Sequence, residues 1–310
     1  MAAQRAMTSR EWAILIALSV VWGGSFLFVG VAVKALPPLT IVALRVSLAA
    51  LALLAFTRVT GVVLPKSRQA WVALAGMALL NNIIPFNLIV WSQGRIPGGR
   101  ASILNATMPL FTVIVAHLLT NEEKATPGKL AGLVVGFAGV ALMIGPSAVG
   151  GAGADVPAQL AVLVGALFYA FSAVYGRRFR VMGLEPIVVA TGQMTSAAAV
   201  MVPLALIVDR PWTLPVPGLP VFASVLALAL VSTSFAYVLF FQLLATAGAV
   251  NLALVTFLIP VSAIALGAAV LGERLEPLQF VGLAIIAVGL SAIDGRLWAR
   301  LLRRPATSSA

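Results

Sequence analysis

Few side chains in this sequence could act on another molecule, and most of them stand inside apolar runs. The segment ALLNNIIPFNLIVWSQG, residues 78–94, carries Asn81, Asn82 and Asn87. An amide moved into hydrocarbon without a partner costs roughly 2–7 kcal/mol, so these groups must face protein, water or a ligand. Arg45, in PLTIVALRVSLAALALL, is the one cation well inside such a run. Insertion scales put that burial at about 2.5–3.5 kcal/mol, which implies either a carboxylate to meet or carbonyls to bond. The carboxylates of the chain lie elsewhere. Glu11, Glu122, Glu123, Asp155, Glu185, Asp209, Glu273, Glu276 and Asp294 all fall at the ends of apolar runs or between them. Acid–base catalysis by a buried carboxylate pair therefore has no candidate. With no Cys and a single His, His117, there is no thiol nucleophile, disulfide framework or multi-histidine metal site. Nor is there a Walker-type phosphate loop. What remains is recognition by amides, hydroxyls, aromatic rings and one positive charge, with no cofactor and no metal expected.

The segments holding these groups determine what they can meet. The chain of 310 residues is 61% hydrophobic and 9% charged, with a mean hydropathy of +1.08. A soluble domain carries roughly 25% charged residues, so this is the composition of an all-α integral membrane protein. Apolar stretches near the ~20 residues that span a bilayer run over 12–33, 38–57, 70–91, 98–119, 128–145, 158–176, 186–208, 219–245, 248–271 and 278–298. They predict ten transmembrane helices. A net charge of +11 would suggest a nucleic-acid partner in a soluble protein, but its distribution decides otherwise. With both termini cytoplasmic, fourteen of the twenty Lys and Arg residues fall on cytoplasmic segments, including the basic tail 299–310, and five fall opposite. That is the positive-inside pattern, so the charge encodes topology and no nucleic-acid partner is expected. The first apolar run lacks a clear small-residue cleavage site and is read as a retained span.

The chain is also written twice. NATMPLFTVIVAHLLTNEEKATPGKLAGLVVGFAGVAL at 105–142 matches TFLIPVSAIALGAAVLGERLEPLQFVGLAIIAVGL at 256–290. Pro109 aligns with Pro260, Glu122 with Glu273, Pro127 with Pro277, Gly132 with Gly282 and Gly139 with Gly289. Extended backwards, the alignment pairs Asn81-Asn82 with Ser232-Thr233, Trp91 with Gln242, Trp22 with Tyr169, Ser25 with Ser172, and Arg45 with Gln193. Residues 1–145 and 156–298 are thus read as two five-helix repeats. Five is odd, so the second copy enters from the opposite face. Inverted-topology repeats are an architecture of secondary transporters, with the substrate near the midplane between the halves.

The series P...LGERLEPLQFVGLAIIAVGL, its first-half copy and the early WGGSF resemble the EamA family of ten-helix transporters, in the drug/metabolite transporter superfamily. The resemblance covers nearly the whole chain, although TNEEKATP in the first half departs from the pattern. It implies a bacterial inner-membrane protein that exports small metabolites, often amino acids. Sparse charge along the spans favours neutral or zwitterionic cargo with a hydrophobic or aromatic side chain, moved by alternating access. Carriage of drugs or other metabolites is the alternative, and an integral membrane enzyme is the alternative of a different class. The lack of a mid-span acid weakens proton coupling and leaves facilitated efflux at least as well supported. The expected partners are a small-molecule substrate and membrane lipid, and a monomer would suffice.

In this frame the substrate-binding candidates are Trp22, Ser25, Arg45, Asn81, Asn87, Trp91, Tyr169, Ser172, Tyr237 and Gln242. Trp22 with Ser25, and their repeat mates Tyr169 with Ser172, are aromatic-plus-hydroxyl pairs able to hold a cargo from both sides; helix packing is the competing role. Asn87 shares a stripe with Leu80, Ile84 and Trp91, an amide and an indole suited to an amphipathic ligand, with Gln242 supplying a second amide. The competing role of Trp91 and Gln242 is at the membrane boundary. Tyr237 follows Thr233 by one turn. Pro85, Pro109 and Pro260 free the carbonyls of Asn81, Asn105 and Thr256 and are read as hinges. GLVVGFAG and GLAIIAVG are read as close-packing surfaces, His117 as structural, and Glu122 and Glu273 as topology or gating residues.

Overall fold

The computed structural model describes residues 7–120, 125–149 and 155–294, and all the regular structure in them is helical. Eight helices are long and apolar enough to cross a membrane: α1 (Ser9–Ala32), α2 (Pro38–Thr60), α3 (Arg68–Gln93), α4 (Gly98–Leu119), α5 (Pro127–Gly145), α6 (Asp155–Val181), α7 (Pro186–Val208) and α8 (Leu219–Gly248). Two shorter apolar helices follow, α9 (Val255–Leu271) and α10 (Pro277–Ile293). Glu122, Glu123 and the basic tail 299–310 lie outside the described residues.

Local chemistry explains where these helices begin and break. Thr8 and Glu11 form a reciprocal capping box on α1: the Glu11 N–H donates to Thr8 Oγ1 at 3.3 Å, and the Thr8 N–H donates to Glu11 Oε2 at 2.7 Å. Helices α2, α5, α7 and α10 start on Pro38, Pro127, Pro186 and Pro277, where a fixed φ and a missing N–H suit the first turn. The span read at 248–271 is shortened because Gly248 has φ 79°, outside the helical region, and a continuous helix resumes only at Val255. Helix α4 is interrupted at Ala106 and Thr107. Helices α3 and α8 each contain one π turn, Leu79–Ile83 and Leu230–Phe235, at positions that the internal alignment pairs.

The principal helix contacts all join one of the first five helices to one of the last five. They are α5 with α10, α2 with α7, α1 with α8 and α9, α6 with α3 and α4, α3 with α7, α2 with α8, and α4 with α9. Replacing every helix by its counterpart in the other half returns the same set. The pairing of α5 with α10 is the closest. A Cβ built on Gly132 would stand 2.6 Å from the Gly289 carbonyl oxygen, and one on Gly139 would stand 2.8 Å from that of Gly282. Early residues of α5 thus meet late residues of α10, so the two helices run antiparallel. Thr40, near the start of α2, bonds Asp209 just past α7, and Gly98, at the start of α4, bonds Glu273 just past α9. Those mates are antiparallel too.

Lipid tails are as apolar as leucine, so close backbone approach carries the α5–α10 association. Gly289→Ala places a Cβ 2.5 Å from the Gly136 nitrogen and should cost about 1–3 kcal/mol through overpacking. Gly128→Ala, which meets open space, should leave stability unchanged. Thermal midpoints of the two purified variants in the same detergent provide the check.

Candidate functional site

A cavity of about 780 Å³ lies between the halves, lined by α1–α4 and α6–α9 but by neither α5 nor α10. It runs from Gln93 and Asn105 to the α6–α7 turn, where the exposed Arg180 and Glu185 line its mouth. Its walls are mainly apolar, and its polar groups gather where the two π turns face each other. A π turn changes the backbone register by one residue. In α8 the displaced carbonyls of Leu228 and Ala229 accept from Thr233 Oγ1 at 2.8 Å and Ser234 Oγ at 3.1 Å, each five residues on. The distortion of α3 begins at Leu79, ahead of Pro85, and α8 makes the same turn with Ala236 standing where α3 has its proline. Proline is therefore not required for the turn, and neither is a polar pair, since α9 ends in a third π turn over the apolar Gly267–Leu271.

Arg45 is the charge at this level. Its Nε donates to Thr233 Oγ1 at 3.0 Å, and its guanidinium carbon sits 3.7 Å from the centroid of the Phe86 ring. Both contacts suit a planar, weakly hydrated cation. A chain of neutral bonds crosses four helices beside it. Ser172 Oγ donates to Asn81 Oδ1 at 3.0 Å, Asn81 Nδ2 to Gln193 Oε1 at 3.4 Å, and Gln193 Nε2 to the Tyr237 hydroxyl at 2.7 Å. Aromatic rings flank the chain, with Tyr237 stacked on Phe241 at 5.8 Å and Trp22 beside Phe240 at 5.8 Å.

Seven of the sequence candidates thus meet in one cavity: Trp22, Ser25, Arg45, Asn81, Tyr169, Ser172 and Tyr237. Ser25 turns its hydroxyl back to the Trp22 carbonyl at 2.6 Å. The Asn87–Trp91 stripe does not face this space. Asn87 Nδ2 donates to the Ile83 carbonyl at 2.6 Å and contacts Met201 Sδ at 3.3 Å, while Trp91 lies under Arg95 at 4.0 Å beside a separate shallow pocket. Gln242 is half-buried away from the cavity wall. Helical spacing put Asn87 and Trp91 on one face but could not say which neighbour that face meets. Of the three prolines, Pro85 follows the α3 π turn and Pro109 follows the break in α4, whereas Pro260 lies inside a continuous helix. Gln193, Thr233, Phe86, Phe240 and Phe241 are cavity residues that the candidate set lacked; the internal alignment pointed to Gln193 as the mate of Arg45.

The end away from the mouth is tied shut by three polar contacts between the halves. Thr40 N–H and Oγ1 donate to Asp209 Oδ2 at 2.7 and 2.8 Å. The Gly98 and Gly99 N–H groups donate to the Glu273 carboxylate at 2.9 and 3.1 Å, a negative charge at the first turn of α4, where the helix dipole favours it. Arg100 pairs with Asp155 at 3.2 Å. Val90 and Ile96 are buried, 1% and 2% exposed.

A chain without cysteine permits a direct test of which residues the cavity exposes. A Tyr169→Cys thiol should react with a small polar maleimide at least about tenfold faster than an Asn87→Cys thiol, because modification requires a thiolate in contact with water. Equal rates measured by mass shift would place both side chains in one environment.

The sequence profile of the EamA-like transporter family matches residues 10–145 and again residues 156–293. The chain is 27% identical over 278 residues to YedA, an uncharacterized inner membrane transporter of Escherichia coli (strain K12), covering 88% of this chain and 86% of that protein. It is 25% identical over 305 residues to a probable amino-acid metabolite efflux pump of the same strain, covering 96% and 99%. A solved crystal structure, 20% identical in sequence, superposes with a TM-score of 0.65 over 96% of this chain and 100% of the other. With the family profile matching in two tandem blocks, this chain belongs to the EamA-like transporter family.

Proposed function

We propose that this protein exports small amphipathic metabolites across a bacterial inner membrane by alternating access, with hydrophobic and aromatic amino acids favoured as cargo. The observation that carries this reading is the cavity itself, a mainly apolar chamber with one buried cation, set between the halves and tied shut at the end away from its mouth. Residues 1–145 and 156–298 act as inverted five-helix repeats, each crossing the membrane five times. The self-mapping set of helix contacts and the antiparallel mates support that arrangement. The positive-inside bias supports cytoplasmic termini and a cytoplasmic basic tail at 299–310, which makes the α6–α7 mouth cytoplasmic and this conformation inward-facing. To turn over, the three ties at the outer end break while the inner end closes, the halves flexing near the π turns, Pro85, Pro109 and Pro260. The relative named as an amino-acid metabolite efflux pump supports the cargo class. A cationic drug would meet Arg45 and no buried acid in this cavity, and a sugar would find mostly apolar wall.

Two measurements test this reading. Counterflow in proteoliposomes, with no ion gradient, should show transient accumulation of labelled phenylalanine or leucine against the same unlabelled compound, and none of glucose or AMP. Absence of exchange for every amino acid, from folded protein, would remove the cargo assignment. For the conformational part, a Val90→Cys thiol in intact cells should react slowly with an impermeant maleimide. Adding Asp209→Asn and Glu273→Gln should speed it by at least about tenfold, because losing even one charged hydrogen bond is worth about 1.5–3 kcal/mol and every 1.4 kcal/mol is a factor of about ten. An unchanged rate would mean that these ties do not hold the outer end closed.

A further inference from the structure

Resting on the carrier reading above, we infer that Arg45 binds a carboxylate that the cargo must carry, and that the cargo's amino group is dispensable. The transported class is then amphipathic monocarboxylates, of which amino acids form a subset. A guanidinium has five N–H donors in a planar fork. Thr233 takes one of Arg45's through Nε, and Phe86 covers a face of the plane. The terminal N–H groups remain for the cavity that Arg45 lines, in the geometry that matches a carboxylate with two parallel bonds. Among the described residues no carboxylate stands within ion-pair distance of Arg45; the described ion pair, Arg100 with Asp155, lies at the closed end. A buried charge is stable in such a place when an opposite charge joins it, and here the arriving molecule is the one able to bring it.

The cavity makes no matching provision for an ammonium. Glu185 is its acid, and it stands exposed at the mouth. Arg45 and Arg180 apart, the other polar side chains of the cavity are neutral, and beside Arg45 one set of them is already joined: Ser172 donates to Asn81, Asn81 to Gln193 and Gln193 to Tyr237. An ammonium placed there would face a like charge with no carboxylate among the described residues to offset it. Phe26, Phe240 and Phe241 on the same wall supply the apolar contact for a ring or branched side chain. The volume of about 780 Å³ accommodates a benzyl or indolyl acid with room to spare.

The test is a set of four phenyl compounds in counterflow with the wild-type protein: phenylalanine, 3-phenylpropanoate, phenylalanine amide and 2-phenylethylamine. The acid without an amine should exchange at least as well as phenylalanine, while the amide and the amine, which lack the carboxylate, should not exchange. Arg45→Gln should raise the half-saturation concentration for 3-phenylpropanoate by about thirtyfold or more, the effect of removing one partner of a buried charge pair, and Arg45→Lys should recover part of it. Exchange of the amide and amine on a par with the acids would overturn the inference while leaving the carrier reading standing. So would exchange of phenylalanine with none of 3-phenylpropanoate. Failure of all four compounds while leucine exchanges would overturn the inference alone, and failure of leucine as well would overturn the cargo assignment with it. Should Arg45→Gln fail to fold, the wild-type compound series decides alone.

Discussion

A guanidinium held inside an apolar bundle dictates where the other polar groups of this protein must stand. Hydrocarbon offers no hydrogen bonds, so a cation that cannot reach water needs donors' partners, an aromatic face or a wet chamber around it. Arg45 has all three: the Thr233 hydroxyl, the Phe86 ring and the cavity. Thr233 is available because α8 opens into a π turn at that point, and Asn81 reaches Ser172 and Gln193 from the corresponding turn of α3. Asn81 belongs to the same seam as the charge, while Asn87 is satisfied within its own helix by the Ile83 carbonyl. Moving either amide to a lipid-facing position would forfeit partners that no lipid replaces.

The rest of the bundle divides into a part built to stay and a part able to come undone. Glycines on α5 and α10 bring two backbones into contact, and neither helix lines the cavity. That contact is van der Waals packing between rigid surfaces and has no cheap alternative geometry. The ties at the closed end are of another kind. Asp209, Glu273 and Asp155 each reach across to the opposite half through hydrogen bonds or an ion pair near the end of a helix, where water is close and can substitute for the lost partner. Under the alternating-access proposal these are the contacts that would exchange while the glycine contact stays.

Much of this was legible in the sequence, and the failures have a common cause. Apolar runs of bilayer length located eight membrane-length helices, because hydrophobicity over ~20 positions is a strong signal, whereas the run at 248–271 gave a shorter helix, Val255–Leu271. The internal alignment brought Trp22, Ser25, Tyr169 and Ser172 to one place, since repeat mates must lie in related environments. The buried cation at Arg45 could be flagged from its cost alone. Asn87, Trp91 and Gln242 lie off the cavity wall, which the sequence did not reveal because a helical stripe gives an angle about one axis and says nothing of the neighbour it meets. Pro85 drew attention to the right turn for an incomplete reason, since α8 makes the same turn without a proline. Phe86, Phe240 and Phe241 carry no signal of their own in a sequence that is 61% hydrophobic.

The two halves share their pattern of helix contacts and diverge in their chemistry at the seam. Aromatic meets aromatic in Trp22 and Tyr169, and hydroxyl meets hydroxyl in Ser25 and Ser172, but Arg45 is answered by Gln193, and Asn81-Asn82 by Ser232-Thr233. A strictly symmetric seam would carry either two buried cations, repelling one another across a low-dielectric cavity, or none. Substituting an amide on one side keeps a hydrogen-bonding group at the symmetric position while halving the charge. It also completes the neutral chain, because Gln193 accepts from Asn81 and donates to Tyr237, which a guanidinium with no acceptor atom cannot do. The asymmetry therefore follows from what one cavity can hold: a single positive charge on the α2 side and an amide relay on the α7 side, presented together to whatever occupies the space between them.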